Sequence, residues 1–400
     1  MVAADVNRWA ELDRERTRAG HPPVVLLGGR ENALACARHF TRAGVTTVVI
    51  DHDDAPALRS RGVIGVPVGP RFDSDAMIDW LRSSAEEFGG SVLIPLSDKA
   101  LIAIVEHDEE LRDSYRPVLF DPGVVTAMLD KLKTVEAANA AGVPAPLQWI
   151  VGPEGVDEVR EQLVYPLILK PVHSFEARTK HLKAHNEDEL DRHLVTFGAL
   201  PSGFVLNEFI PGGDEELSSY YAIRTSDGQT LLEFTKRVDR RNPPNKGGAT
   251  FHELIDLPAT AEVGRKFFDH IGLVGLGNVE FKRDPRSGVL KIIECNHRIT
   301  AALPLMQNNG IDLAGAVYDQ ALGRPVSPIE THDLHGTLWY PVRDLISFRM
   351  SGEGIRSWLR RPVFRTSLPY WRFTDPRPAL TLWRTGVSTW LRKRRPWGRE

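Results

Sequence analysis

The chain has 400 residues, 42% of them hydrophobic and 26% charged, and its 50 Lys plus Arg against 53 Asp plus Glu give a formal charge of −3. That is enough chain for two or three domains with real cores, and it excludes a disulfide-stapled miniprotein, a collagen-like repeat and a wholly disordered polymer. The near-neutral total conceals an asymmetry: residues 331–400 hold 14 Lys or Arg against 5 Asp or Glu, a formal +9 that leaves −12 for residues 1–330, together with six of the nine tryptophans.

Cys36 and Cys295 lie far apart, each in an apolar run, so neither a disulfide framework nor a cysteine metal site is expected. Residues 1–20 lack the apolar stretch of a secretory signal, and no later segment nears the roughly 18 apolar residues that span a bilayer. A cytoplasmic location fits these features.

From Pro23 onward, apolar β-rich runs alternate with helix-period segments: Val24-Val25-Leu26-Leu27, a helix over 31–43, Thr47-Val48-Val49-Ile50, a helix over 73–88, and Val92-Leu93-Ile94-Pro95-Leu96. Such alternation predicts a parallel sheet covered by helices, an α/β domain over 21–120. The turn Gly28-Gly29-Arg30 lacks the Gly-x-Gly-x-x-Gly spacing of a dinucleotide site, so no nicotinamide cofactor is implied. Residues 121–141 read as helix in two pieces, stopped by Gly142-Val143-Pro144. A strand at 148–151, a helix over 154–164 and the strand Leu167-Ile168-Leu169-Lys170 follow. Beyond Pro201 the pattern becomes antiparallel, with runs 217–224 and 230–238 joined through Ser226-Asp227-Gly228. The fold class expected is α/β followed by α+β.

The chemistry concentrates in a second hairpin, Asn278 to Arg283 and Val289 to Arg298, around Asp284-Pro285-Arg286-Ser287-Gly288. Folding about Ser287 puts Glu280 opposite Glu294, and like charges so placed destabilise a sheet. A hard divalent cation would compensate, because Mg²⁺ takes carboxylate and carbonyl oxygens plus substrate phosphates, with Asn296 on the same face as a third oxygen ligand. Lys170 ends a buried strand and Lys131 opens a helix; both are positions from which a lysine can meet a phosphate. The basic loop Lys236 to Thr250 combines guanidinium forks with glycines and reads as an acid-substrate loop.

Taken in order, Asp130-Lys131, Gly142-Val143-Pro144, Tyr165 to Lys170, Asn207-Glu208-Phe209-Ile210-Pro211-Gly212, Val279-Glu280-Phe281 and Glu294-Cys295-Asn296-His297-Arg298 resemble the ATP-grasp superfamily over roughly 21–325. The pattern is nearest to its D-aspartate ligase-like and carbamoyl-phosphate-synthase-like members. The resemblance implies a Rossmann-like pre-ATP-grasp domain over 21–120, a small lobe over 121–206, a large lobe with the metal site over 207–330, and a basic, Trp-rich extension over 331–400. It further implies ATP held by Lys131, Lys170, Lys180, Asn207, Glu208, Phe209, Ile210 and an acid such as Asp214 or Glu215. Mg²⁺, with Mn²⁺ as a substitute, would sit on Glu280, Glu294 and Asn296, and Arg298, Lys170 and Lys236 would be catalytic. The implied activity is ATP-dependent carboxylate–amine ligation through an acyl phosphate; the alternative is a nucleotide-binding regulatory or scaffold protein, because residues 171–180 lack the family's glycine-rich loop. A homodimer is compatible with either.

In the tail, Leu380, Trp383, Val387, Trp390 and Leu391 fall at helical spacing beside Arg384 and Arg392 to Arg395. A basic helix with aromatic anchors suits an anionic membrane surface, giving an expected peripheral contact through 380–397. Nucleic acid is not expected, since the acidic body would repel a polyanion.

Overall fold

The computed structural model describes residues 20–151, 156–171, 182–197, 200, 203–245, 247–329, 331, 335–351 and 366–384. The apolar runs of the first hundred residues form a five-stranded parallel sheet in the order β3-β2-β1-β4-β5, with β1 Val24–Leu27, β2 Thr47–Asp51, β3 Val63–Pro67, β4 Val92–Pro95 and β5 Arg116–Pro117. The helix expected over 73–88 is broken into Ser74–Ser83 and Ala85–Phe88. The turn after β1 requires glycine: Gly29 has φ +105°, and a Cβ there would lie 2.5 Å from Cβ of Leu96. The helix Arg30–Arg42 therefore starts hard against the end of β4, with no side chain capping it.

A four-stranded antiparallel sheet, β6-β9-β7-β8, is built from β6 Gln148–Val151, β7 Leu167–Pro171, β8 Leu182–Ala184 and β9 Phe204–Glu208. Strand β9 runs through the expected lobe boundary at 206/207. The helix expected over 154–164 is not formed in its described part, which holds only the 3₁₀ turn Arg160–Gln162. Arg160 there pairs with Glu187 and Asp191 rather than continuing a helical face.

The third sheet has seven strands in the order β14-β13-β10-β11-β12-β15-β16, namely β10 Leu217–Arg224, β11 Thr230–Asn242, β12 Gly248–Leu254, β13 Gly275–Arg283, β14 Leu290–Asn296, β15 Gly336–Trp339 and β16 Thr366–Ser367. On one face Tyr220, Val279, Phe281 and Ile292 pack with Phe267 and Phe268 of the helix Pro258–Ile271 and with Met128 and Ala138. The helices Pro122–Leu129 and Lys131–Ala140 thus belong to this core rather than to the four-stranded sheet. On the other face Tyr221, Phe234 and Leu254 join the core of the parallel domain. Burying both faces fixes the orientation of the sheet.

Residues after 331 are integral to this architecture in their described part. Strand β15 extends the large sheet, and the buried Arg38 guanidinium clamps the chain end by donating from Nε to Asp375 (2.8 Å) and from its terminal nitrogens to the carbonyls of Pro369, Tyr370 and Asp375. The described part of the tail, 377–384, is helical. It leaves Trp383 69% and Leu380 51% exposed, beside Trp371 and the 90% exposed Phe373. Among the described residues, no helix is long and apolar enough to cross a membrane.

Candidate functional site

The hairpin β13–β14 pairs Asn278 with Asn296, Val279 with Cys295 and Glu280 with Glu294. Glu280 and Glu294 are therefore opposed, as folding about Ser287 requires. One feature lies outside what symmetry about Ser287 suggests: Phe281 pairs with Ile292, so Ile293 is a bulge. In a regular strand Ile292 and Glu294 would share a face. The extra residue turns Ile292 into the core and Glu294 into the cleft, a common use of bulges beside functional sites.

Across the sheet the same row continues from Glu280 to Ser219 on β10 and then to Lys236 on β11. Lys236 is only 2% exposed, and its ammonium is depressed by burial, with Glu280 pulling the other way. Asn278 lies one row along, fully buried, its Oδ1 accepting from Nδ2 of Asn296 at 3.3 Å. Four oxygen-bearing side chains thus share one face: Asn278, Glu280, Glu294 and Asn296. The Glu294 carboxyl is pushed up, first by enclosure between the cleft walls and then by the facing Glu280, although its side chain keeps contact with solvent.

Lys131 and Lys170 approach the same place from other elements. Asp130 caps the helix Lys131–Ala140 by accepting from the backbone N–H of Leu132 and Lys133, which sets Lys131 at its first turn. Lys170 comes from β7, and its ammonium is lowered to about 8 by burial and by the like charge of Lys131, with Glu294 opposing. Arg298, just past β14, donates from Nε to Asp98 at 2.6 Å, and both groups act electrostatically on Glu294. The structure therefore brings Lys131, Lys170, Lys236, Glu280, Glu294, Asn296 and Arg298 around one cleft. Lys180 lies outside the described residues.

The side chains expected at the nucleotide edge and the ribose already have partners within the chain. The side chain of Glu208 is already committed: its carboxylate accepts from Lys291 at 2.7 Å, Arg286 at 2.6 Å and the backbone N–H of Leu147. Burial pushes Glu208 up, but these donors outweigh it and hold it below the usual carboxylate range. Asn207 Oδ1 accepts from Gln148 Nε2 at 2.8 Å. Phe209 carries Lys183 Nζ 3.5 Å above its ring, and Ile210 is buried with its carbonyl taken by Lys282. Asp214 does not face the cleft as a free acid; it accepts from N and Nε of Arg241 and from N of Asn245, anchoring the β11–β12 turn. Glu215 is exposed beside it.

The basic loop is likewise built differently from the expectation. Most of it is strand, and its guanidinium forks are engaged, Arg237 with Glu253, Arg240 with Asp344 and Arg241 with Asp214. It is an internally paired connector rather than a set of free anion receptors. Sequence reasoning missed Asn278, Lys183, Lys282 and Lys291; the even spacing of Asn278, Glu280 and Lys282 on one strand was the available signal. His297 is a structural neighbour, donating from Nε2 to the Val274 carbonyl at 2.8 Å. Both cysteines are buried and free.

The site suits a hard cation only in company. Among the described residues no three His, Cys, Asp or Glu converge, so two carboxylates and two amides would leave the remaining positions of an octahedral Mg²⁺ shell to phosphates and water. Two opposed carboxylates, of which Glu294 is pushed up by its enclosure and by the facing Glu280, fit that demand.

At the C-terminal ends of β1, β2 and β4 lies a cavity of about 490 Å³, lined by Gly29, Glu31, Asp51, His52, Asp98 and Arg298 among others. That is where a parallel sheet with this strand order offers its switch point for ligands.

No protein-family model matches the chain. It is 24% identical to the D-aspartate ligase of Enterococcus faecium (strain Aus0004) over 339 residues, 75% of this chain and 77% of that one. It is 23% identical to the C-terminal section of the carbamoyl phosphate synthase large chain of Methanopyrus kandleri over 219 residues, 52% of this chain and 40% of that one. Its fold superposes with a TM-score of 0.60 on a biotin carboxylase–ATP analogue complex from Campylobacter jejuni, at 18% identity, covering 80% of this chain and 75% of that one. In sequence the chain is thus similar to D-aspartate ligase and to the carbamoyl phosphate synthase large chain, and in fold to biotin carboxylase.

Proposed function

We propose that the protein is an ATP-dependent carboxylate–amine ligase acting on an amino acid or small peptide acid. The observation that carries this reading is the juxtaposition of two like-charge pairs, Lys131 with Lys170 and Glu280 with Glu294, around one cleft. Each pair is unfavourable alone, and a magnesium–triphosphate complex relieves both at once. Likeness to D-aspartate ligase, whose name specifies an acid substrate, supports the same class.

In this scheme Glu280, Glu294, Asn296 and Asn278 would hold Mg²⁺, or Mn²⁺ in its place, which supplies charge neutralisation for the triphosphate. Lys131 and Lys170 bind phosphate oxygens. Lys236 and Arg298 orient the substrate carboxylate, whose oxygen attacks the γ-phosphorus as the bond to ADP breaks. The amine then attacks the acyl carbon, the C–O bond to phosphate breaks, and the nitrogen gives up a proton as the amide forms. Positioning and charge neutralisation supply most of the catalysis in such a transfer. Glu215 and Glu216, not Asp214, are the acids left to meet a ribose.

The test is ADP release from Mg·ATP across pools of amino acids and amines, with mass measurement of the ligated product. A ligase requires release that depends on a specific acid and amine. ATP binding without release under every pairing would instead support the regulatory reading.

We further propose that the exposed Leu368, Trp371, Phe373, Leu380 and Trp383, with Arg372, Arg377 and Arg384 and the basic residues 392–395, give the ligase a peripheral seat on anionic membrane from the cytoplasmic side. Co-sedimentation with phosphatidylglycerol vesicles should fall with added salt and with Phe373→Ala plus Trp383→Ala. Equal binding to neutral vesicles would count against it.

A further inference from the structure

Of the groups assigned to the ligase cleft, none is left to accept a proton. Lys131, Lys170, Lys236 and Arg298 serve there as cations, and Glu280 and Glu294 are taken by the metal. An alkyl amine with an ordinary pKa of about 10.4 is protonated at neutral pH, so its lone pair cannot attack an acyl phosphate until that proton has gone. The cavity at the ends of β1, β2 and β4, about 490 Å³, is of a size that holds a small organic substrate. It adjoins the paired carboxylates, since Arg298 and Asp98 line it and both act electrostatically on Glu294.

Among the described residues lining that cavity, Glu31, Asp51, His52 and Asp98 are the side chains of a type that takes a proton. Asp98 is held by Nε of Arg298 at 2.6 Å. Glu31 accepts from Arg343 at 3.2 Å and from the hydroxyl of Tyr370. Asp51, 2% exposed at the end of β2, accepts at Oδ1 from both the backbone N–H and the ring Nδ1 of His52, each at 2.8 Å. The backbone bond fixes the carboxylate, and the ring bond turns the imidazole over it while leaving the ring 20% exposed. Donation from Nδ1 to a carboxylate sets the tautomer and makes Nε2 the basic nitrogen. The bond to Asp51 therefore prepares His52 to take a proton, whereas the partners of Asp98 and Glu31 oppose it. Arg71, which follows β3, is a further charge lining the cavity.

We propose that His52 is the general base that deprotonates the amine substrate, with Asp51 as its positioning residue. Nε2 takes one proton from the ammonium, and Asp51 stays ionised and stabilises the imidazolium so formed. The freed lone pair attacks the acyl carbon, and the C–O bond to phosphate breaks with its electron pair on the phosphate. The second proton lost by nitrogen leaves with the phosphate, and the imidazolium returns its proton to solvent. This assignment rests on the ligase reading and deepens it by naming where the amine sits and what activates it.

The experiment uses the full chain with Mg·ATP, the acid and amine selected by ADP release, and hydroxylamine in place of the amine. Hydroxylamine is uncharged at neutral pH, so it captures an acyl phosphate as the hydroxamate without a base. His52→Gln should lower kcat/KM for the amine by roughly 10²–10³-fold, the scale of general-base catalysis. Hydroxamate formation from the same acid, and KM for Mg·ATP, should stay within about threefold. The wild-type rate with the amine should reach a plateau above an acid limb; in the variant it should climb with pH in step with the fraction of free amine. Asp51→Asn should move the acid limb to lower pH, because the imidazolium loses its carboxylate partner. Added imidazole should restore part of the amine rate to His52→Ala, which a folding defect would not allow. Parallel losses on amine and hydroxylamine without rescue by imidazole would mark His52 as structural and overturn the proposal, as would an unchanged amine rate. Both results leave the ligase reading standing. Wild type that gives neither ADP nor hydroxamate with any acid would remove the ligase reading, and the base assignment with it.

Discussion

The two ends of the β13–β14 hairpin carry the same kind of side chain and treat it in opposite ways. At the turn end, Asp284 and Glu208 are closed off by Arg286 and Lys291 in a network of ion pairs between 2.6 and 3.5 Å. At the open end, Glu280 faces Glu294 with no ion pair to either among the described residues, and Lys170 feels the like charge of Lys131. The first arrangement ties the linker after β9 to the large sheet. The second stores repulsion that only a ligand of mixed charge removes. Function therefore lies where the charges are unmatched, although all four acids stand on or beside one hairpin.

The largest expected effect comes from breaking the unmatched end. Glu294→Gln should lower acid-dependent ADP release by roughly 10²–10³-fold, the scale of losing one preorganised electrostatic group, as steady-state kinetics would read directly. Lys170→Met should weaken Mg·ATP binding by about tenfold or more, consistent with a charge-assisted contact. Because the Lys170 ammonium titrates near 8 in the free protein and only its protonated form attracts phosphate, Mg·ATP affinity should be flat from pH 6 to 7 and fall as pH rises past 8. The Lys170→Met variant should lose that limb of the profile.

Breaking the matched end should spare chemistry and cost stability. Glu208→Ala should lower the first unfolding transition by an amount corresponding to about 2 kcal/mol, since Lys291 and Arg286 lose a buried partner, while KM for the acid substrate changes little. The pH dependence has opposite signs at the two ends. Glu208 and Asp284 are held below the ordinary carboxylate values of 4.5 and 3.8, so their contribution is complete above those values and is lost as pH falls through the depressed folded-state values. Glu294 is raised, so its repulsion with Glu280 sets in as pH climbs through that raised value, and mild acid relieves it. The smallest expected effect follows: without ligand, Glu294→Gln should raise thermal stability by about 0.5–1 kcal/mol, the size of a like-charge cross-strand pair. Thermal scans of the ligand-free variant check this.

The contrast also separates what spacing reveals from what it hides. Strand alternation, the two hairpins and the opposition of Glu280 to Glu294 are local, so they were legible from period and symmetry alone. The bulge at Ile293 was not, because it depends on Ile292 having a core to enter. The partners of Glu208 and Asp214 were not legible either. They lie 83 and 27 residues away along the chain, and an acidic side chain looks the same in sequence whether it is paired or free. The clamp between Arg38 and Asp375 spans 337 residues, so the place of Arg343 beside Glu31 emerges only after the chain end has docked.

The central claim is that the cleft is shaped for magnesium and a triphosphate together. Calorimetric titration of the full chain with ATP, with and without Mg²⁺, tests it most directly. The account expects binding that weakens at least about tenfold when Mg²⁺ is withheld, and a Glu280→Gln plus Glu294→Gln double variant that no longer distinguishes the two conditions. Absence of ATP binding, or equal affinity with and without the metal in the unaltered chain, would contradict it.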